Sequence, residues 1–324
     1  MKEGRKKLTF KTVISVLKNA VSSFMDHNVT KMSGSLAYYT VFSMAPLLVL
    51  IIALCGIFLG QETAQNQIYG QLSAFLDKNT ALQIQDIIKN ASISGKSASA
   101  IVIGAVTLLV GATTVFADIQ DSINHIWGIK PKPKNGWLKM LQNRFLSFSV
   151  IISLAFILLV SLFITTLLDG FSDHLRTQYE NVSTVAFYIL NQLITLGVVM
   201  LIFAVIFKVL PDARIGWKDV LTGAFVTAIL FLIGKLAISL YISKSGAGDT
   251  YGAARSLVVL LLWTYYSAMI LYFGAEFTKA YVMEYDSEIR PNSYAVTTKE
   301  IEVETGKASV QESENKVENK VKIP

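Results

Sequence analysis

Six apolar runs free of Asp, Glu, Lys and Arg punctuate the chain: Leu36–Leu59, Ala98–Ala117, Phe145–Leu168, Val182–Phe207, Val220–Gly234 and Ser256–Ala275. A helix that crosses the hydrocarbon core of a bilayer needs roughly 20 predominantly apolar residues, each rising about 1.5 Å. Five runs meet that length directly, and Val220–Gly234 meets it if the helix continues through Lys235 to Ile242. The pattern predicts an all-α integral membrane bundle of six transmembrane helices.

Shorter amphipathic patterns lie between and before these runs. Residues 8–25 put Phe10, Val13, Ile14, Leu17, Val21 and Phe24 on one helical face, with Lys11 and Lys18 off it. Two placements fit such a helix: in the plane of the cytoplasmic membrane interface, or docked on the underside of the protein. The stretch around Trp137 reads as a second, shorter interfacial element. Residues 61–96 carry helical patterning at Ile68, Leu72, Phe75 and Leu76, then at Ile84, Ile87 and Ile88, which predicts a short helical extracytoplasmic cap.

Composition agrees with a membrane protein. Of the 324 residues, 52% are hydrophobic and 16% charged, against about 25% charged in a typical soluble domain. The single cysteine, Cys55, lies inside the first run and excludes a disulfide framework. Leu54 before it is too large for a lipoprotein box, and the first run is longer than a signal-peptide core, so it reads as an anchor.

Lysines and arginines favour the cytoplasmic side. They crowd the segment before the first run (Lys2, Arg5, Lys6, Lys7, Lys11, Lys18, Lys31). They also crowd 130–144 (Lys130, Lys132, Lys134, Lys139, Arg144) and 208–218 (Lys208, Arg214, Lys218), while the alternate loops hold few. Both termini are therefore expected in the cytoplasm. The expected organisation is a cytoplasmic amphipathic segment over 1–34, the six-helix domain over 35–282 and a disordered cytoplasmic tail over 283–324, whose composition is polar and charged.

Polar residues in the runs fall on stripes. Gly104, Thr107, Gly111, Thr114 and Asp118 share a face of the second helix, and Tyr188, Asn191, Gln192 and Thr195 a face of the fourth. Ala224, Thr227, Ala228, Lys235 and Ser239 line the fifth; Tyr265, Ala268, Tyr272 and Glu276 the sixth; Ser35, Tyr39, Ser43 and Pro46 the first, where Pro46 leaves the carbonyl of Phe42 without its usual donor and predicts a kink. The third helix has no such line and is expected to be the most lipid-exposed. Small residues on such stripes let helices approach closely. Ionisable ones within a membrane are costly and mark pathways, relays or cavities. Asp118 and Glu276 fall near the cytoplasmic ends of their helices, and Lys235 in the outer half near Asn191 and Gln192. Two plainer readings stand beside these: Lys235 snorkels along its stem, and Glu276 pairs with Lys279 one turn on.

Recognisable catalytic chemistry is absent from the pattern. His27, His125 and His174 sit on segments expected on different sides of the membrane, and no His/Cys/Asp cluster has metal-ligand spacing. No phosphate loop or nucleophile elbow appears. Basic charge follows the cytoplasmic loops, which indicates topology and anionic-lipid contact rather than nucleic-acid binding. Neither an enzyme, a metal nor a cofactor is expected.

Four stretches in order, "SLAYYTVFSMAPLLVL" (35–50), "INHIWG" (123–128), "LPDARIGWKDVLTGA" (210–224) and "YGAARSLVVLLLWTYYSAMILYFGAEF" (251–277), resemble the YihY/BrkB family of bacterial inner-membrane proteins. The resemblance extends from about residue 10 to 282. It implies a multi-pass envelope membrane protein, linked by name to virulence and serum resistance in one branch and to lipid transport in others. The family once carried the label ribonuclease BN, which the missing metal ligands do not support. The expected function is a non-ATP-driven transporter or flippase-like protein for an anionic envelope lipid or similar amphiphile. Lys235, Asn191, Gln192, Asp118, Glu276, Tyr272 and Tyr39 would lie along the substrate pathway. The alternative is a structural envelope protein that binds a partner through 61–96 or the C-terminal tail.

Overall fold

A computed structural model describes residues 10–75, 82, 85, 98–132, 149–150, 152–153, 156–157, 183–245, 255–285 and 287–299. In chain order the helices are α1 (Phe10–Asp26), α2 (Val29–Leu59), α3 (Gln61–Phe75), α4 (Ala98–Trp127), α5 (Ser183–Val209), α6 (Trp217–Ser245) and α7 (Arg255–Glu284). Four short strands, β1 (Ile129–Pro131), β2 (Ala213–Arg214), β3 (Arg290–Pro291) and β4 (Ala295–Thr297), complete the described elements. The expected third span, 145–168, and the element around Trp137 lie largely or wholly outside the described residues.

Among the described residues, three helices contain stretches long and apolar enough to cross a membrane: Gln192–Val209 in α5, Trp217–Tyr241 in α6 and Leu257–Glu284 in α7. Their surfaces agree with lipid contact. On α6, Phe225, Ile229, Ile233, Leu236 and Leu240 recur every three to four residues and all are exposed. A continuous apolar stripe of this length is poorly solvated by water and well solvated by acyl chains. At the start of the same helix the ammonium of Lys208 lies 5.2 Å from the centre of the exposed Trp217 ring, the amphipathic pairing found at membrane–water interfaces.

Helix α7 packs against α1, α2, α4 and α6. Its seam with α6 depends on two glycines. A Cβ at Gly223 would overlap the Thr278 hydroxyl, and one at Gly274 the Thr227 hydroxyl. Each threonine satisfies its own hydroxyl by donating back to a main-chain carbonyl four residues earlier, Thr227 to Gly223 and Thr278 to Gly274, both at 2.7 Å. The hydroxyls need no partner in the apolar seam, and the missing side chains let the backbones close on each other. The small residues of the α6 stripe, Ala224, Thr227 and Ala228, are accordingly buried.

Helix α1 docks one face on the bundle. Val16 and Ala20 are buried against Phe277 of α7, and the rings of Phe24 and Phe273 are 6.1 Å apart. The adjoining stripe of Ile14, Leu17, Val21 and Met25 stays exposed beside the exposed Lys11 and Lys18. Helix α3 follows a turn at Gly60 and packs Ala64 and Ile68 onto Ile52 of α2 and Leu260 of α7. The first half of the expected cap is thus a helix; Ile84, Ile87 and Ile88 lie outside the described residues.

The expectation of a disordered tail from 283 fails over its first part. Helix α7 continues to Glu284, and the chain then returns to pair β3 with β2 and β4 with β1, both antiparallel. Backbone pairing with loop edges, unreadable from polarity, holds this segment. Ile289 and Tyr294 pack on the main core. Gly128 permits the closure: its φ of +67° ends α4, and any Cβ there would strike the Thr298 carbonyl, whose own N–H donates to Gly128 O at 2.7 Å. Residues 300–324 lie outside the described residues.

Candidate functional site: a mixed-charge cavity at the α1–α2 break

Between α1 and α2 the chain turns through Asn28, a non-glycine residue in the left-handed region (φ 52°, ψ 45°). Such a conformation is uncommon, with asparagine among the residues that tolerate it best. The break carries His27 under the bundle. A cavity of about 610 Å³ opens there, lined by Asp26, His27 and Asn28 from the break, Lys31, Met32 and Ser35 from α2, and Asp121, Ser122 and His125 from α4. The α2 and α4 contributions each recur at three- to four-residue spacing, so two helix faces form the walls.

Behind the cavity the polar positions expected on separate spans do converge. Ser35 Oγ donates to Asp118 Oδ1 at 3.2 Å, and Tyr272 Oη approaches Asp118 Oδ2 at 3.5 Å. Tyr272 is fully buried. Glu276, one turn further on α7, is 1% exposed. Its Oε1 lies 2.5 Å from His27 Nδ1, within hydrogen-bonding distance, while its buried Oε2 has no hydrogen-bond partner among the described residues. The Lys279 ammonium donates to the Ile126 carbonyl at 2.6 Å and stays within electrostatic reach of Glu276. The expected separation of the histidines is corrected, since the rings of His27 and His125 meet edge to face at 5.5 Å. Both belong to segments that the charge pattern itself puts on the cytoplasmic side, and that signal could have joined them. His174 lies outside the described residues. Among the described residues no group of three or more His, Cys, Asp or Glu side chains is placed to hold a metal ion.

A second polar centre braces the wall. Asp212, 1% exposed, accepts from Gln120 Nε2 at 3.2 Å, Asn124 Nδ2 at 3.0 Å and Tyr294 Oη at 2.8 Å, and its N–H donates to Asn124 Oδ1 at 2.8 Å. A buried carboxylate is tolerated when its lone pairs are satisfied in this way. Trp127 Nε1 donates to Ala275 O at 3.1 Å beside Glu276. These bonds explain the "INHIWG" and "LPDARIGWKD" stretches as one structural unit: they fix the end of α4, and with it Asp121 and His125, against α5–α6 and α7.

The other expected residues are less gathered. Tyr39 is exposed on α2, above Ser35, beside Tyr38 and Phe42, whose rings form a contiguous exposed cluster. Lys235 is half-buried next to Gly234, which Tyr266 covers, and Gln192 is exposed. The side chains of Asn191 and Pro46 lie outside the described residues; α2 runs through position 46 as one helix.

Long lipid-compatible helices around a polar, partly buried core define a helical membrane protein. The chain belongs to the Virulence factor BrkB family, whose model matches residues 20–297. It is similar to a UPF0761 membrane protein of Pseudoalteromonas translucida, 27% identical over 80% of this chain and 83% of that one. A UPF0761 membrane protein of Tolumonas auensis is 28% identical over 76% of this chain and 78% of its own. One of Alteromonas mediterranea is 26% identical over 78% and 83%. No solved structure matches the chain.

Proposed function

We propose that this BrkB-family protein moves a membrane amphiphile across the bacterial inner membrane without ATP, using six spans with both termini in the cytoplasm. One observation supports the reading above others. Along a single face of α2, the polar cavity positions Lys31 and Ser35 pass within two turns into the exposed Tyr38, Tyr39 and Phe42. A headgroup-sized polar site continuous with an apolar aromatic surface suits a molecule that has both parts. Asp118, Tyr272 and Glu276 then form the inner gate, and Lys235 with Asn191 and Gln192 offers a contact in the outer half.

The test is lipid movement in proteoliposomes carrying fluorescent phospholipids on one leaflet. Protein-dependent exchange should fall at least tenfold when Phe42→Asp places a charge on the aromatic face. Equal exchange with and without protein removes the transport reading. Lys235→Met, at a half-exposed site, should slow exchange while leaving the unfolding temperature unchanged; full-speed exchange would drop Lys235 from the pathway.

A further inference from the structure

We propose that the cavity at the α1–α2 break binds a headgroup bearing both a phosphate and a primary amine, as phosphoethanolamine does. The proposal rests on the amphiphile reading above and names its polar end. The lining is mixed in sign. Lys31 contributes a fixed cation, Asp26 and Asp121 contribute fixed anions, and His27 and His125 add imidazole rings, that of His27 held by Glu276. Ser35, Ser122 and Asn28 supply uncharged donors and acceptors.

A purely anionic headgroup entering this space would meet two carboxylates at the wall and Asp118 behind Ser35. A purely cationic one would meet Lys31. Like charges brought together repel, so such walls discriminate by rejection as well as by attraction. A ligand with one charge of each sign escapes both penalties. The phosphate is assigned to Lys31 and the His125 ring, and the amine to Asp121 and Asp26. Charge-assisted hydrogen bonds of this kind are about twice as strong as neutral ones. A volume near 610 Å³ lies within the usual small-molecule range of about 300–1,000 Å³. The aromatic face above Ser35 distinguishes the ligand from a free amino acid, which has a carboxylate and an amine but nothing to lay along Tyr38 and Phe42.

The experiment titrates the full-length protein in detergent with O-phosphorylethanolamine, inorganic phosphate, ethanolamine and β-alanine, with calorimetric detection. O-Phosphorylethanolamine should bind at least tenfold more tightly than the other three. Lys31→Met should weaken O-phosphorylethanolamine and inorganic phosphate alike, by about tenfold. Asp121→Asn should weaken O-phosphorylethanolamine by a similar factor and leave inorganic phosphate unchanged or tighter. Both side chains are exposed, so thermal unfolding should be unaltered in both variants. Inorganic phosphate or β-alanine binding as tightly as O-phosphorylethanolamine, or Asp121→Asn weakening phosphate equally, overturns the proposal.

Repeating the titration in nanodiscs identifies the source of the headgroup. Phosphatidylethanolamine bilayers that block the soluble probe, where phosphatidylglycerol bilayers do not, assign the site to the lipid. Free access in both assigns it to a soluble phosphoamine. Intact discrimination without lipid exchange in proteoliposomes overturns the transport reading alone, and exchange without discrimination overturns only the headgroup assignment.

Discussion

His27 Nδ1 stands 2.5 Å from Glu276 Oε1, joining the break between α1 and α2 to the buried face of α7. The carboxylate is wholly inside the protein and the imidazole is about a quarter exposed. Removing one partner of such a pair strands the other. Glu276→Ala should lower stability by about 3 kcal/mol, the lower end expected for a broken buried pair, and Glu276→Gln by less, because an amide still hydrogen-bonds the ring. In a double-mutant cycle with His27→Ala the coupling should be about 1–3 kcal/mol. Denaturation in mild detergent measures it, and additive losses would show that the contact carries no energy.

Asp212 gathers Gln120, Asn124 and Tyr294 at one carboxylate. Asp212→Ala should leave two buried amides and a phenol short of an acceptor, at about 1–3 kcal/mol for each group stranded. Tyr294→Phe, which removes the bond to Asp212 and a longer one accepted from Asn292 at 3.4 Å, should cost about 1 kcal/mol. Unfolding temperatures of the two variants, compared side by side, should rank in that order. Equal values would mean that the carboxylate is not the hub.

Much of this arrangement was legible in the sequence, and the illegible part has a physical cause. Apolar runs located α5, α6 and α7 because hydropathy is a local property. Helical spacing put Tyr272 and Glu276 on one stripe, and depth reasoning brought Asp118 to the same level. What spacing could not show was which segment supplies a partner across the chain. Glu276 takes its partner from His27, 249 residues away in sequence. The ordered return of residues 287–299 was missed for a related reason. Two- and three-residue strands are held by main-chain bonds to loops, and a polar composition says nothing about them. Proline and aromatic punctuation at Pro291 and Tyr294 was the available signal. Lys235 drew attention by being charged within an apolar run, whereas the cavity formed where charges were ordinary, at the helix ends.

The glycine seam between α6 and α7 makes a size-dependent prediction. Gly223→Ala places a methyl group on the Thr278 hydroxyl and should destabilise the protein by about 1–3 kcal/mol through overpacking. Gly223→Ala combined with Thr278→Ala should recover most of that loss, since the second change removes the clash. Thermal denaturation in detergent reads both. A double variant no better than the single one would place the strain elsewhere.

The returning strands make a truncation informative. A chain ending after Lys299 keeps β3, β4 and the Tyr294–Asp212 bond and should unfold at the temperature of the full chain. A chain ending after Tyr285 loses all three and should unfold several degrees lower, with faster proteolysis after Gly128. If the envelope-partner alternative holds, the chain ending after Lys299 retains its fold but loses the phenotype of the intact protein, while proteoliposome exchange stays at zero throughout.

Strands β1 and β2 sit in the middle of the chain, yet their partners are among the last of the described residues. A ribosome delivers the chain from its amino end at about 5–20 residues per second. The helices are therefore threaded into the bilayer while two loop edges stay open beneath them. Thr298 reaches Gly128, and the phenol of Tyr294 reaches Asp212, only after all the described helices have been made. Folding thus finishes with a fastening step, and nascent chains stalled short of it are left with unpaired edges for quality-control proteases.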